Sequence, residues 1–454
     1  MILDTASLAL LTDALTSLDA GFDNLPPLQH DNDQAALAGV LLAVAERMRD
    51  NYPYPHPLYA GQMLKPPHPV ARLAYALALW INPNNHALDG GRASSAMEKE
   101  AVAEIAGMFG WAQYLGHLSS GGTMANLEAL WVAGSLHPGK KILASCQAHY
   151  THERISRVLQ LDFAPVDCDA QAKMDIQALE ASLATGEVGT VVVTLGTTAS
   201  GSVDPLPAVL ALRERYDFRI HVDAAYGGYF ALVDNLGAEA GQAFQALGQV
   251  DSIVIDPHKH GLQPYGCGCV LFRDPGVGAL YKHDSPYTYF SSAELHLGEI
   301  SLECSRAGAS AVALWATQRL LPLRRDGEFA RDLARCREAA LILAERIAAD
   351  PRFMLAWEPE LDIIVWAPRL DSASQVSAAS QRLFEIAAEQ DLHLAVASFP
   401  ATLLRQRWPD LHWDQPRVAC LRSCLMKPAH RDWVDEIWRI LDALAPRALA
   451  VDNE

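Results

Sequence analysis

The apolar run Ile253-Val254-Ile255 ends abruptly in Asp256-Pro257-His258-Lys259-His260-Gly261, so a buried strand finishes by presenting a primary amine between two imidazoles. A lysine in that position either snorkels at the edge of a core or acts as a nucleophile that forms an imine with an aldehyde. His258 beside it binds a phosphate or caps the turn. A second apolar run closes in HVDAAYGG, with Asp223 at its end. A carboxylate there is costly without a partner. That partner is either a nearby backbone N–H or the ring nitrogen of a heterocycle, which the carboxylate keeps protonated. Ala225, two residues on, is small enough for a flat ring to pack against it.

Three further stretches carry chemistry of the same kind. In LSSGGTMANLEAL, Gly121-Gly122-Thr123 directly precede a helical run that begins near Ala125. Free N–H groups and the helix dipole form an anion seat there, and Thr123 adds a hydroxyl. The plain alternative is a turn with an N-cap. A nucleotide phosphate loop is excluded, because its spacing and its Gly-Lys-Ser/Thr ending are missing. In SCQAHYTHERI, His149 follows the strand KKILAS and either stacks on a pyridine ring or is a satisfied core histidine. TLGTTASGSVDPL offers Thr197 and Thr198 at another strand end, for contact with a phenolic oxygen or with the local backbone.

The elements that position these groups are short apolar runs (KKILAS, TVVVTLG, FRIHVDAA, SIVIDP, CGCVLF) alternating with helical segments such as DIQALEASLA and LPAVLALRERY. Such alternation predicts an α/β fold with a mainly parallel sheet covered on both faces. Reactive groups in such sheets sit beyond the carboxyl ends of strands, where His149, Thr197, Asp223 and Lys259 all fall. Residues 1–75 read as a helix followed by an extended, proline-rich arm, and residues 76–325 as the large domain. Residues 326–454 read as a smaller α+β domain, with strands in LDIIVWAP, LHLAVASF and RVACLRSCL between helices.

Composition narrows the partners. The chain has 454 residues and a formal net charge of −18, half of its residues are apolar and a fifth are charged. An acidic balance argues against nucleic acid or an anionic membrane as partner, since both demand clustered Lys and Arg. The longest apolar run, around AYALALWI, is too short to span a bilayer. The N-terminus carries acids among its apolar residues and reads as an amphipathic helix, not a signal peptide. Eight cysteines lack a framework pattern, and Cys267/Cys269 and Cys420/Cys424 lack zinc spacing. Reduced thiols, a cytoplasmic location and no metal are the expectations.

Taken in chain order, SGGTMANLEAL, AHYTHERI, GTTASGSVDPL, HVDAAYGG and DPHKHG resemble the fold-type I pyridoxal-phosphate enzymes, specifically the group II amino-acid decarboxylases. The resemblance runs from roughly His56 to the closing helix. It implies pyridoxal 5'-phosphate as cofactor, an amino acid as substrate, and a homodimer with its active site near the interface. Lys259 resembles the imine-forming lysine, His258 a phosphate ligand, and Asp223 the pyridinium partner, with His149 and Ala225 on opposite ring faces. Gly122 and Thr123 resemble phosphate contacts, and Thr197 is chosen over Thr198 as a cofactor contact. Ser305, in SRAGASAVALW, resembles a helix start near the phosphate, where contacts often come from the dimer mate. Arg422, in preference to Arg417, resembles the arginine that grips the substrate carboxylate. His56 and Tyr59 fall on a substrate-facing arm, and Tyr287 or Tyr289 corresponds to the tyrosine that protonates the carbanion. The implied reaction is decarboxylation of an L-amino acid to its amine.

Asp256 and His260 depart from the Asn and Trp of many relatives and resemble the branch of archaeal-type tyrosine/aspartate decarboxylases and sphingosine-phosphate lyases. Aldehyde-lyase or aminotransferase chemistry is therefore the alternative, and a catalytically silent binding homologue stands behind it.

Overall fold

The computed structural model describes residues 5–26, 33–87, 90–282 and 300–450. Helices α1 (Thr5–Asp19) and α2 (Gln34–Met48) lead into an irregular arm, after which α3 (Pro69–Leu79) and α4 (Arg92–Met108) return to the body. A strand–helix alternation follows: β1 (Leu115–Ser119), α5 (Gly122–Leu136), β2 (Lys141–Ser145), α6 (Thr151–Val158), β3 (Phe163–Val166), α7 (Ile176–Leu183), β4 (Val188–Thr194), α8 (Leu206–Leu212), β5 (Arg219–Asp223), α9 (Ala238–Gln245), β6 (Ser252–Ile255) and β7 (Gly268–Phe272). Helices α10 (Gly278–Tyr281), α11 (Gly308–Leu320) and α12 (Glu328–Ala349) precede a second sheet. Its strands are β8 (Phe353–Leu355), β9 (Ile363–Pro368), β10 (Ala395–Pro400) and β11 (Arg417–Cys424), interspersed with α13 (Ala373–Ala388) and α14 (Ala401–Leu404) and closed by α15 (His430–Leu449).

The first sheet runs β1-β7-β6-β5-β4-β2-β3. β4, with the run VGTVVVT, is buried along its whole length, as expected of a β-branched strand covered on both faces. Strands β3, β2, β4, β5 and β6 are parallel, and β7 is antiparallel to both β6 and β1. Two antiparallel steps restore the direction of β1, so its carboxyl end lies on the same edge as those of β2, β4, β5 and β6. Gly268 makes this possible where β7 begins: a Cβ there would meet Gly121 Cα at 2.6 Å.

β1 and β3 lie outside the strands that the sequence singles out. β1 buries a polar side chain, His117, whose Nε2 lies 2.8 Å from Glu128 Oε2. β3 contains Pro165, which an edge strand tolerates.

The second sheet, β10-β11-β9-β8, is antiparallel throughout. Trp366, Leu421, Leu343 and Ile437 build its core beneath α12 and α15. The buried residues Leu333, Cys336, Ala340, Leu343 and Ile347 of α12 recur at helical spacing. The arm crosses this sheet: Ala60 N donates to His393 O at 2.8 Å, and Cys424 N donates to Ala60 O at 2.7 Å.

A buried ion pair ties α4, β1 and the approach to α11 together. Arg306 Nη1 lies 2.6 Å from Glu98 Oε1 and 2.7 Å from Leu118 O, while Nη2 donates to Asn85 O at 3.0 Å. Truncating one partner of such a pair leaves the other charge buried and uncompensated, at a cost of about 3 kcal/mol or more. Arg306→Met should therefore lower the urea unfolding midpoint sharply. An unchanged midpoint would show that water reaches Glu98 and the pair is not buried.

Candidate active site

The carboxyl ends of β1, β2, β4, β5 and β6 enclose a cavity of about 340 Å³ lined by Gly121, Gly122, Thr123, His149, Thr198, Asp223, Ala225, Asp256, His258 and Lys259, among others. Its shape follows from strand ends. β5 stops at Asp223, β6 stops one residue before Asp256, and α5 begins where β1 has turned back.

Asp223 Oδ2 accepts from His152 Nε2 at 2.8 Å, and Oδ1 accepts from Ala225 N at 3.1 Å. Burial pushes this carboxyl up, but the hydrogen bond from His152, its charge and that of Lys259 outweigh burial and hold it well below the usual carboxylate range. Lys259 Nζ lies 3.1 Å from Asp256 Oδ2. His149 accepts from Thr151 N through Nδ1 at 3.3 Å. Burial lowers the basicity of the His149 ring, and nearby Lys259 adds to the effect while Asp223 opposes it.

The anion seat is tight. α5 begins at Gly122, earlier than the expected start near Ala125, and a Cβ at Gly122 would lie 2.6 Å from Asp256 Oδ2. First-turn N–H groups have no carbonyl partner inside the helix. The His258 ring packs against the same turn, since a Cβ on Gly121 would lie 3.3 Å from its Cε1. His258 Nδ1 and Asp256 Oδ1 are buried without hydrogen-bond partners among the described residues. Burial lowers the His258 pKa below the ordinary histidine range.

Several expected positions differ. Thr197 does not face the cavity: it is fully buried, and its hydroxyl is engaged with Ser200 Oγ at 2.7 Å and accepts from Ser202 N at 3.0 Å. Thr198 lines the cavity instead. Arg422 is buried just behind it, with Nη1 donating to Thr198 O at 3.1 Å and Nη2 to Gln62 Oε1 at 3.0 Å. Arg417 is exposed and bonds Ser398 Oγ at 3.0 Å.

Within one chain, His56 and Tyr59 do not line the cavity. Tyr59 pairs with His393 and turns its ring into a cluster with Tyr54, while His56 lies against Trp433. Gln62 is the arm residue that meets Arg422. Within the chain, Ser305 is exposed and accepts from Asn84 Nδ2 at 3.0 Å, while Glu303 meets the anion seat, accepting from Ser120 N at 2.9 Å. Tyr287 and Tyr289 lie outside the described residues. Sequence reasoning missed His152 as a partner of Asp223, although its place three residues after His149 was visible in AHYTHERI. It also missed Asn126, Thr194 and Tyr226 in the cavity wall.

An amine and an ionised carboxylate opening into one cavity, beneath a helix start beside an imidazole whose Nδ1 has no hydrogen-bond partner among the described residues, is an arrangement that suits pyridoxal phosphate. The residues fit it: Lys259 would hold its aldehyde, Asp223 its ring nitrogen, and Gly122, Thr123 and His258 its phosphate. Fold and site thus define a fold-type I pyridoxal-phosphate protein. The pyridoxal-dependent decarboxylase conserved domain matches residues 67–368, and the chain belongs to that family.

It is 29% identical over 370 residues to an L-tyrosine decarboxylase of Enterococcus faecium, a match covering 59% of this chain and 60% of that protein. The chain therefore spans less than two thirds of that relative's length. A probable L-tyrosine/L-aspartate decarboxylase of Methanothermobacter thermautotrophicus is 29% identical over 310 residues, covering 67% of this chain and 82% of that one. Among solved structures, Oryza sativa TDC with PLP and tryptamine superposes with a TM-score of 0.78 at 17% identity, covering 98% and 97% of the two chains, a likeness of fold.

Replacing His152 by Phe strands the buried Asp223 Oδ2 without its donor, a cost of about 1–3 kcal/mol. Pyridoxal-phosphate affinity should fall about tenfold, about 1.4 kcal/mol, read by titrating the visible absorbance. The variant should also unfold at higher pH than the parent. A depressed carboxyl stabilises the fold above its unfolded pKa of about 4, and that contribution is lost as pH falls through the folded pKa. Equal affinity and an equal acid midpoint would refute a role for His152 in holding Asp223 ionised.

Proposed function

We propose that this chain decarboxylates an L-amino acid to the corresponding amine and CO2, as a cytoplasmic homodimer with an arm (1–75), a large domain (76–325) and a small domain (326–454). The carrying observation is that Lys259 and Asp223 open into the same cavity, with Arg422 behind its Thr198 wall. The relatives' names make L-tyrosine and L-aspartate the first substrates to test.

The bound cofactor supplies a sink for the electron pair left behind when CO2 departs. Lys259 would hold it through its amine. Asp223 would keep a proton on its ring nitrogen, for which the depressed pKa suits it. His149 and Ala225, which line the same cavity, would pack against the ring. The guanidinium fork of Arg422 matches a carboxylate bidentately, and it accelerates the step only if it favours the transition state over the bound substrate. Tyr287 or Tyr289 would deliver the proton to Cα.

The first two helices support the dimer. None of the residues of α1 or α2 is buried. Leu37, Leu41, Val44 and Met48 form an exposed apolar stripe at spacings of four, three and four. Isolated helices of this length are marginal in water, so a partner surface is needed to hold them. No described helix is long and apolar enough to cross a membrane.

Two measurements check this reading. Borohydride reduction should fix a pyridoxyl group on Lys259, an amino-acid panel should release CO2 and one amine, and Lys259→Ala should lower turnover at least a hundredfold, about 3 kcal/mol. Release of an aldehyde or a keto acid without CO2 would overturn decarboxylation. In sedimentation, the parent should run at twice 49.4 kDa and the Leu41→Asp/Val44→Asp variant at or near 49.4 kDa; a monomeric parent would overturn the dimer.

A further inference from the structure

Cys146 and Cys168 stand apart from the other six cysteines. Cys267, Cys269, Cys336, Cys420 and Cys424 are buried, and Cys304 is exposed with no thiol in hydrogen-bonding reach among the described residues. Cys146 follows β2 directly and Cys168 lies two residues beyond β3, on neighbouring parallel strands where Ser145 sits opposite Val166. Cys146 N donates to Val166 O at 2.8 Å, which holds the two strand ends side by side. Their Sγ atoms are 3.2 Å apart, and Ser145 Oγ lies 3.0 Å from Cys168 Sγ. Cys146 is exposed and Cys168 half-buried.

We propose that Cys146 and Cys168 form a redox-closable dithiol whose disulfide displaces the loop bearing His149 and so disables the cofactor site. The thiols have unequal roles. Hydrogen bonding from Cys168 brings the exposed Cys146 down to about 7, against the opposing effect of burial. The same contact, together with burial, pushes Cys168 far up. A thiol that ionises near neutral pH is the better attacker in exchange, and an adjacent protonated thiol serves as the resolver. The Cys146 thiolate attacks a small-molecule disulfide of the glutathione type, forming a mixed disulfide and expelling one thiolate. Cys168 then loses its proton to solvent and attacks Cys146 Sγ, expelling the second thiolate. The protein gives up two electrons, and the small disulfide becomes two thiols.

The consequence follows from what the closed loop contains. His149 lies three residues after Cys146 and lines the cavity, and His152 donates to Asp223. Bond formation needs the sulfurs to close from 3.2 Å to about 2.05 Å, a movement of about 1 Å that begins three residues before His149. A misplacement of that size is enough to cost orders of magnitude in rate. An exposed, low-pKa thiol beside a protonated resolving thiol suits a transient disulfide in a reducing compartment.

The thiol pairing stands independently of the proposed reaction, and only its consequence rests on the cofactor site. The test is to treat the holoenzyme with oxidised glutathione and map its peptides. The expected result is loss of two of the eight thiols, a Cys146–Cys168 disulfide, a drop in turnover of at least fivefold with a changed absorbance of bound cofactor, and recovery with dithiothreitol. Cys146→Ser should keep the unoxidised rate and lose the response, whereas Cys304→Ser should keep both. A stable glutathione adduct on Cys146, a different pairing, or no disulfide at all would overturn the pairing. A disulfide that leaves absorbance and turnover unchanged would overturn the switch. Should no amino acid be turned over, peptide mapping still decides the pairing and cofactor absorbance its consequence.

Discussion

Asp223 ends β5 with a buried carboxylate, and His152 donates to it at 2.8 Å from the first turn of α6. Without a donor, desolvation would drive such a group to take up a proton and abandon its charge. A neutral acid at that place could not hold a proton on a ring nitrogen. The neighbourhood serves that charge. Ala225 N caps Oδ1, Lys259 contributes positive potential, and the neighbouring His221 is turned away by Asn126 Oδ1 and Ser252 Oγ, each at 2.8 Å. Burial holds His221 well below the ordinary histidine range, to about 3, so it adds no competing charge.

The sheet makes this economy of groups workable. Parallel strands deliver five carboxyl ends to one edge, and each contributes a single short segment to the cavity instead of one long loop. The antiparallel β7 is the exception that admits β1, and with it the start of α5. That insertion works only because two glycine contacts leave room: Gly268 against the Gly121 backbone, and Gly122 against Asp256. Side chains at either position would push the anion seat away from Lys259. The glycines thus set the distance between the phosphate end and the amine end of the site.

What could be read from the sequence follows from which signals are local. The buried strands β4, β6 and β7 are legible from their short apolar runs and β5 from the alternation of Ile220 and Val222 with polar residues, and the groups at the ends of the parallel ones follow from where those segments stop. The direction of β7 is not legible, since an apolar run carries no orientation. Thr197 and Thr198 could not be separated because adjacent residues point oppositely, and the choice between them depends on Ser200 and Ser202 claiming one hydroxyl. His56 and Tyr59 read as substrate-facing through the resemblance of their segment to the family's arm. Their fate is set by a single backbone bridge from Tyr59 to His393, some 330 residues away. His152 was hidden for the same reason: its meaning lies in a contact across 71 residues of sequence.

The cavity is not the property of the large sheet alone. Arg422 sits on β11, in the interior of the second sheet, yet its two outer nitrogens bind Thr198 in the loop after β4 and Gln62 on the arm. Beside it, Tyr226 of the cavity wall donates to Asp362 Oδ1 at 2.7 Å, just before β9. Both ties join the sheets through side chains that are at least nine-tenths buried. Any shift of the second sheet therefore moves the arginine relative to the strand ends. Because Gln62 holds the same guanidinium, the course of the arm also fixes where that cation can point. A substrate carboxylate seated at the Thr198 rim would compete with Gln62 and the Thr198 carbonyl for the fork, so its binding is coupled to the arm's position as well as to the cavity's chemistry.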